Sequence, residues 1–270
     1  MHLGIIGFGA IARGVLDGLG AADAPAPGQI TLLVRPGRAA QAAAALAGHR
    51  AAIRVVEETG ALVAARPDLV AECAGHGAVA DHVPPLLRAG IDCIVVSVGA
   101  LADDALRAGL GEAARAGGAR VILPAGAVGG IDILAAVAAA GDACVTYRGI
   151  KPPRAWAGTA AERAVALDRL TGPTVFFTGT AREAARDYPK NANVAATIAL
   201  AGAGLDATRV ELVADPGAAG NSHVFELHSP VARCRVEIEN VAVPGNPRTS
   251  MATILSVLRE IRNRVGWMAI

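Results

Sequence analysis

Residues 3–6 form a short apolar run that breaks into Gly7-Phe8-Gly9-Ala10-Ile11-Ala12 and continues as a helical pattern to about residue 19. A buried strand that turns into a helix through Gly-x-Gly-x-x-Ala has few structural solutions. The first glycine permits the tight turn, and the second removes the Cβ that would collide with a phosphate. The small third residue, Ala12, lets helix and strand approach closely. The amides of the first helical turn then face an anion in the positive field of the helix. Gly7, Gly9, Ala10 and Ile11 are therefore candidates for holding a dinucleotide. Such a turn is a weak signal alone; its place between strand and helix, with further strand–helix units behind it, makes it specific.

Those units follow at once. Strand patterns at 30–34, 53–56, 69–73, 91–98 and 119–123 alternate with helical ones at 38–46, before Pro67, at 79–88 and at 103–116. The apolar run at 91–98 reads as a strand covered on both faces. This alternation predicts an α/β fold: a doubly wound, Rossmann-type parallel sheet over residues 1–123. After Pro124 the pattern changes. Gly126, Gly129 and Gly130 crowd one connection, followed by helix at 133–139, strand at 143–150, and helices at 180–185 and 194–200. Strand patterns at 209–214, 223–228 and 233–241 read as hairpin-linked antiparallel strands. Residues 124–245 are thus expected to form a second α+β domain with a mixed or antiparallel sheet. The helical tail within 246–270 is expected to return to the first domain.

The end of the second strand should lie beside the adenosine ribose, where an acid favours NAD. Here the run is Leu33-Val34-Arg35-Pro36-Gly37-Arg38, with no acid. Arg35 and Arg38 can pair with a 2′-phosphate or simply be solvated arginines, so NAD or NADP is the expected cofactor. Gly75-His76-Gly77 and Ser97-Val98-Gly99-Ala100 fall at the carboxyl edge of the sheet, where ligands bind. Gly75 is a candidate cofactor contact, and His76 either lines the site or is an exposed loop histidine.

A net charge of +1 without basic blocks argues against nucleic-acid binding. Apolar runs are broken before 18 residues, so no membrane span is expected, and the start of the chain lacks the pattern of a secretory signal. Cys73, Cys93, Cys144 and Cys234 are scattered. The first three lie in strand-like runs and read as buried thiols, which fits a reducing, cytoplasmic setting. No metal-ligand spacing is present. Strand edges in the second domain would need covering, which a homodimer does.

Three further segments carry a family resemblance. Pro124-Ala125-Gly126-Ala127-Val128-Gly129-Gly130-Ile131-Asp132 resembles the segment that follows the Rossmann domain in L-aspartate dehydrogenases. Tyr188-Pro189-Lys190-Asn191-Ala192-Asn193-Val194-Ala195-Ala196 resembles their second hallmark, and Asn221-Ser222-His223 resembles the segment that holds their catalytic histidine. With the opening turn, these matches span nearly the whole chain in the right order. The resemblance implies oxidation of L-aspartate to iminoaspartate with NAD(P); the imine then hydrolyses to oxaloacetate and ammonia or feeds NAD biosynthesis. It also implies an open mixed sheet used for homodimer contact. By this resemblance His223 is catalytic, and Ala127 and Asn193 contact the cofactor, with Asn191 a neighbouring candidate.

The chemistry asks for such residue types in any case. Hydride transfer needs the substrate Cα–H held over the nicotinamide. The amine must be neutral as hydride leaves, and imine hydrolysis needs an activated water. A histidine of near-neutral pKa suits both steps. His223 otherwise reads as an ordinary strand residue, and His228 is its rival. His49 and His82 read as structural or solvated. A dicarboxylate needs cations, and Lys190, at a helix start, is the leading candidate, with Arg148, Lys151 and Arg233 behind it. Lys190 also reads as a surface charge or a cofactor contact. Asn191 and Asn193 either cap their helix or hold the nicotinamide amide, and Asp132 is expected to cap the helix that follows it. Two rival functions remain: a dehydrogenase for another small amino or imino acid, and a non-catalytic cofactor-sensing protein.

Overall fold

The computed structural model describes residues 1–20, 26–189 and 192–270. The chain divides into two compact units, Met1–Pro124 with Thr253–Ile270, and Ala125–Ala252.

The first unit runs β1 (His2–Ile6), α1 (Ala10–Gly20), β2 (Gln29–Leu33), α2 (Ala39–Ala45), β3 (Ala52–Val56), α3 (Thr59–Ala64), β4 (Leu69–Glu72), α4 (His76–Arg88), β5 (Asp92–Val95), α5 (Asp104–Gly117) and β6 (Val121–Ile122). Its sheet has the order β3-β2-β1-β4-β5-β6, with every pairing parallel. The strand order reverses between β1 and β4, which is the switch point where ligands bind in such sheets. Leu3, Ile5, Ile30, Leu32, Val70, Ala71 and Ile94 are fully buried and form the centre of the core.

Two expectations need adjustment here. β5 ends at Val95, and Val98–Ala102 is a 3-10 turn rather than the end of a strand. The reason is polar: the Ser97 amide donates to Glu72 Oε2 instead of continuing the ladder. Asp103 lies outside α5 as its N-cap, accepting from the Ala105 and Leu106 amides.

The second unit runs α6 (Ile131–Ala138), β7 (Cys144–Lys151), α7 (Ala161–Ala164), β8 (Thr174–Thr180), α8 (Ala181–Asp187), α9 (Asn193–Ala201), β9 (Arg209–Ala214), β10 (Asn221–His228), β11 (Arg233–Asn240), β12 (Ala242–Val243) and β13 (Asn246–Ser250). Its larger sheet has the order β11-β10-β7-β9-β8. β10 and β11 form the expected hairpin. β9 does not join them: β7 lies between, antiparallel to β10 and parallel to β9. The sequence also hides β8. It is an edge strand of middling exposure with a register shift between Val175 and Phe177, so it shows no clean alternation.

Two smaller corrections follow from the same coordinates. Asp132 does not cap α6; the N-cap is Gly130, and Asp132 lies inside the first turn, where its charge still suits the helix dipole. Cys144 is exposed, because β7 alternates and its first residue faces outward. Cys73 and Cys93 are buried, with their thiols pushed above the ordinary range by loss of water, Cys93 to about 12.

The last helix, α10 (Met251–Val265), buries Ile254, Val257, Leu258 and Ile261, a stripe of helical spacing. It lies against α1 at glycines: a Cβ at Gly14 would stand 2.5 Å from Ile254 Cδ1, and one at Gly18 would meet Leu258. A tighter approach joins α4 and α5, where a Cβ at Gly117 would overlap the Leu87 carbonyl oxygen. Backbone cannot give way as a flexible side chain can. Gly117→Ala is expected to destabilise the protein by about 3 kcal/mol, at the upper end of overpacking effects, read as a lowered urea midpoint at unchanged slope.

Candidate active site

In the first unit, β1 ends at Gly7, whose amide donates to the Leu33 carbonyl at 2.8 Å. Gly7 has φ +91°, and a Cβ there would come within 2.8 Å of Ala74 Cβ. No other residue satisfies both the conformation and the spacing. A Cβ at Gly9 would meet nothing within 4 Å, so the chain leaves open the space that a phosphate needs. A cavity of about 810 Å³ lies over this turn, lined among others by Gly7, Gly9, Arg13, Arg35, Gly75 and His76. That volume is of the size that holds small ligands and cofactors. The Arg13 guanidinium lies 3.9 Å from the Phe8 ring centroid at its wall.

Glu72, which carries no distinguishing signal in the sequence, holds the Ala74–Gly75 part of the cavity lining. Its carboxylate is fully buried at the end of β4. Oε1 accepts from the amides of Ala74 and Gly75, both at 2.8 Å, and from Ser97 Oγ at 3.0 Å. Oε2 accepts from the Ser97 amide. The acid therefore pins the ends of β4 and β5 together. It holds Gly75 at φ +145° and ψ 174°, a region essentially reserved for glycine. Ser97 and the buried residues after it do not line this cavity among its described walls.

At the ribose end, Arg35 and Arg38 line the cavity as expected, but an acid lies there too. Glu57, just after β3, accepts from the Ala39 amide at 2.8 Å, and that amide with Gly37's holds its carboxyl below the usual range. No acid follows the second strand; Glu57 comes from the end of the third. His49 is bonded to the Leu16 carbonyl, while His82, bonded to the Thr59 hydroxyl, also lines the cavity.

In the second unit, His223 is 4% exposed on β10, and Gly149 of β7 is its register partner. Alternation along β7 puts Tyr147, Gly149 and Lys151 on the same face as His223, while Cys144, Thr146 and Arg148 face outward. Tyr147 Oη and His223 Nδ1 are hydrogen-bonded at 2.8 Å. Lys151 Nζ lies 5.1 Å from the Trp156 ring centroid. Burial lowers the Lys151 pKa to about 8. His223 is lowered to about 3, first by burial and then by the Lys151 charge. Both causes favour the neutral imidazole, because a buried strand-borne ring loses the water that would solvate its cation.

Of the other candidate cations, Arg148 is committed to Glu211 at 2.5 Å on the outer face, and Arg233 is exposed on the alternating outer side of β11. Lys151 alone among these three shares the His223 face. Lys190 and Asn191 lie outside the described residues. Asn193 is exposed at the start of α9, which has Ala192 as N-cap and no side-chain cap; its carbonyl accepts from Thr197 Oγ1. The Ala127 carbonyl accepts from Asn240 Nδ2 at 2.9 Å, both residues being buried. His228 is exposed at the far end of β10. The Tyr188-Pro189 hallmark is anchored by aromatics: Tyr188, Trp156, Phe176 and Phe177 form one cluster of edge-on contacts. With aromatic residues only 3% of the chain, this cluster takes a large share of them. Among the described residues no group of three or more His, Cys, Asp and Glu is placed to hold a metal, and no helix is long and apolar enough to cross a membrane.

A dinucleotide turn at the switch point of a parallel sheet, with a cavity over it, is the arrangement of an NAD(P)-dependent oxidoreductase. Residues 7–124 match the model described as homoserine dehydrogenase, NAD binding domain, and residues 132–264 the model described as aspartate dehydrogenase, C-terminal. The chain is 49% identical to an L-aspartate dehydrogenase of Ruegeria pomeroyi over 98% of this chain and 92% of that one. It is 47% identical to L-aspartate dehydrogenase 2 of Bordetella bronchiseptica over 98% and 97%. The crystal structure of aspartate dehydrogenase from Thermotoga maritima matches with a TM-score of 0.76 at 27% identity, covering 100% of this chain and 99% of that one. The chain belongs to the L-aspartate dehydrogenase family.

The buried histidine has a consequence for stability. An unfolded histidine takes up its proton near pH 6.5, the folded His223 only near 3. As pH falls through that window the unfolded chain gains a proton that the folded one refuses, so stability drops. The slope approaches about 1.4 kcal/mol per pH unit for a single proton. Urea midpoints at pH 7 and pH 5 are expected to differ less in His223→Asn than in the wild type.

Proposed function

We infer that this protein oxidises L-aspartate to iminoaspartate, with NAD or NADP taking the hydride and His223 as the catalytic residue. The observation that carries the reading is the neutral, buried His223 on one sheet face with Lys151, in a chain whose Rossmann turn leaves a phosphate-sized opening at Gly9. When bound, the nicotinamide supplies the carbon that accepts the hydride. Gly7, Gly9, Ala10, Ile11, Arg35 and Gly75 would hold the dinucleotide, and the family resemblance assigns Ala127, Asn191 and Asn193 to it as well.

The substrate ammonium must lose a proton before hydride leaves, and Nε2 of His223 is the group assigned to take it. Burial makes that base weak while the site lacks substrate. A dicarboxylate nearby acts in the opposite sense, because its negative charge stabilises the imidazolium. Lys151, still largely charged at neutral pH with a pKa of about 8, suits a substrate carboxylate. Lys190 is assigned to the other carboxylate. The imine then hydrolyses to oxaloacetate and ammonia or passes on towards NAD biosynthesis.

Arg35 and Arg38 favour acceptance of a 2′-phosphate, whereas Glu57, already bonded to the Ala39 amide, occupies part of the same corner. The balance supports use of both cofactors. β11 and β8 end the second sheet, and covering such an edge supports a homodimer. The free thiols suit a reducing, cytoplasmic setting.

Two measurements test these assignments. In a spectrophotometric assay of NADH and NADPH formation over a panel of amino acids, L-aspartate should be the preferred substrate. His223→Ala is expected to lower kcat by about 10²–10⁴, and Lys151→Met to raise the aspartate KM; turnover of another amino acid in place of aspartate would refute the substrate assignment. In the same assay, Arg35→Ala is expected to raise the NADP KM by roughly tenfold while leaving that for NAD within about twofold, as loss of a phosphate-pairing guanidinium requires.

A further inference from the structure

We propose that Tyr147 is a positioning residue for the reaction, its hydroxyl lying over the bare backbone of Gly149 and holding the His223 imidazole while Nε2 exchanges its proton. The proposal rests on the reading of His223 as catalytic.

The geometry begins with the sheet register. His223 pairs with Gly149 and Phe225 pairs with Tyr147, so Tyr147 is a diagonal neighbour of His223 on the covered face. To reach the imidazole, its ring must run along β7 across residue 149. Only a residue without a side chain leaves that path open: a Cβ at Gly149 would lie 2.7 Å from Tyr147 Oη and 3.3 Å from Cζ. The ring arrives with its centroid 6.0 Å from that of His223 and its plane tilted by 28°. Oη then bonds Nδ1 at 2.8 Å. Tyr147 is 3% exposed and His223 4%, so neither has water as a ready alternative partner.

The chemistry of a phenol fits the task. Burial pushes the Tyr147 hydroxyl above its ordinary pKa, so it keeps its own proton. A hydroxyl both donates and accepts. It can donate to Nδ1 when the resting proton sits on Nε2, and accept from Nδ1–H when Nε2 is bare. When Nε2 takes a proton from the substrate ammonium, the N–H bond breaks with its electron pair left on the substrate nitrogen and a new Nε2–H bond forms. The imidazolium still donates through Nδ1–H to Oη. The ring therefore stays oriented through the cycle, and no proton leaves Tyr147. A carboxylate in the same place would pin one tautomer and raise the histidine's basicity. Tyr147 orients His223 without fixing its charge.

The test compares wild type with Tyr147→Phe, Gly149→Ala, the double variant and His223→Ala, using saturating NAD and NADP and varied aspartate. Tyr147→Phe keeps the ring and its packing. It is expected to lower kcat by roughly tenfold or more, the scale of one lost buried hydrogen bond, with the aspartate and cofactor KM values within about twofold. Gly149→Ala should produce a similar loss by displacing Oη, and adding it to Tyr147→Phe should cost little more, since the clash with Oη is gone. In ¹⁵N-histidine NMR the Nδ1 resonance of His223 should shift in both single variants. Wild-type kcat in Tyr147→Phe, or fully additive losses in the double variant, would overturn the proposal. If Tyr147→Phe fails to fold, Gly149→Ala and the wild-type spectrum decide: an Nδ1 resonance at the position of a free imidazole refutes it. Retained activity in His223→Ala would instead overturn the reading beneath it, so the two failures are distinguishable.

Discussion

A buried polar group destabilises a fold unless each of its donors and acceptors finds a partner, and both units of this chain are organised around one such group. In the first unit it is the Glu72 carboxylate, which gathers the amides of Ala74, Gly75 and Ser97 and the Ser97 hydroxyl. Those bonds end β4 and β5 where they do, and they set the Gly75 conformation at the cavity wall. In the second unit it is His223, whose Nδ1 is satisfied by Tyr147. The surroundings of each group follow from that satisfaction.

The same constraint gives the two polar centres different characters. Glu72 is surrounded by donors and serves as scaffold for a loop. His223 has little water and a nearby ammonium in Lys151, and both disfavour its charged form. A neutral imidazole is the form that accepts a proton.

Small residues recur wherever the structure comes closest to itself. Gly7 approaches Ala74, Gly14 and Gly18 receive α10, Gly117 meets the Leu87 carbonyl, and Gly149 lies under Tyr147. In a chain with 32 glycines and few aromatics, these approaches let backbone elements meet at short range. They explain why a fold so poor in large side chains is nonetheless tightly specified, and why its four-ring aromatic cluster sits at one place, under the Tyr188-Pro189 hallmark.

The local signals were legible in the chain itself. The turn at Gly7 and Gly9, the strand–helix alternation up to Pro124 and the helical tail follow from spacing and residue type, because each depends on contacts a few residues away; His223 stands out only through the family resemblance of its segment. The roles of Glu57 and Glu72 were not legible, since Glu57 bonds the start of α2 and Glu72 reaches Ser97 beyond β5 as well as its own neighbours Ala74 and Gly75. Nor was the insertion of β7 between β9 and β10, because strand order depends on pairings distant in sequence. The exposure of Cys144 and the choice of Lys151 over Arg148 and Arg233 turned on which side of a strand faces the core. Sequence alone determined the class of cofactor, and the resemblance it carries pointed to His223. Only the tertiary structure decided how that histidine is charged and what holds it, because burial and hydrogen-bond partners belong to the packed sheet and not to any stretch of chain.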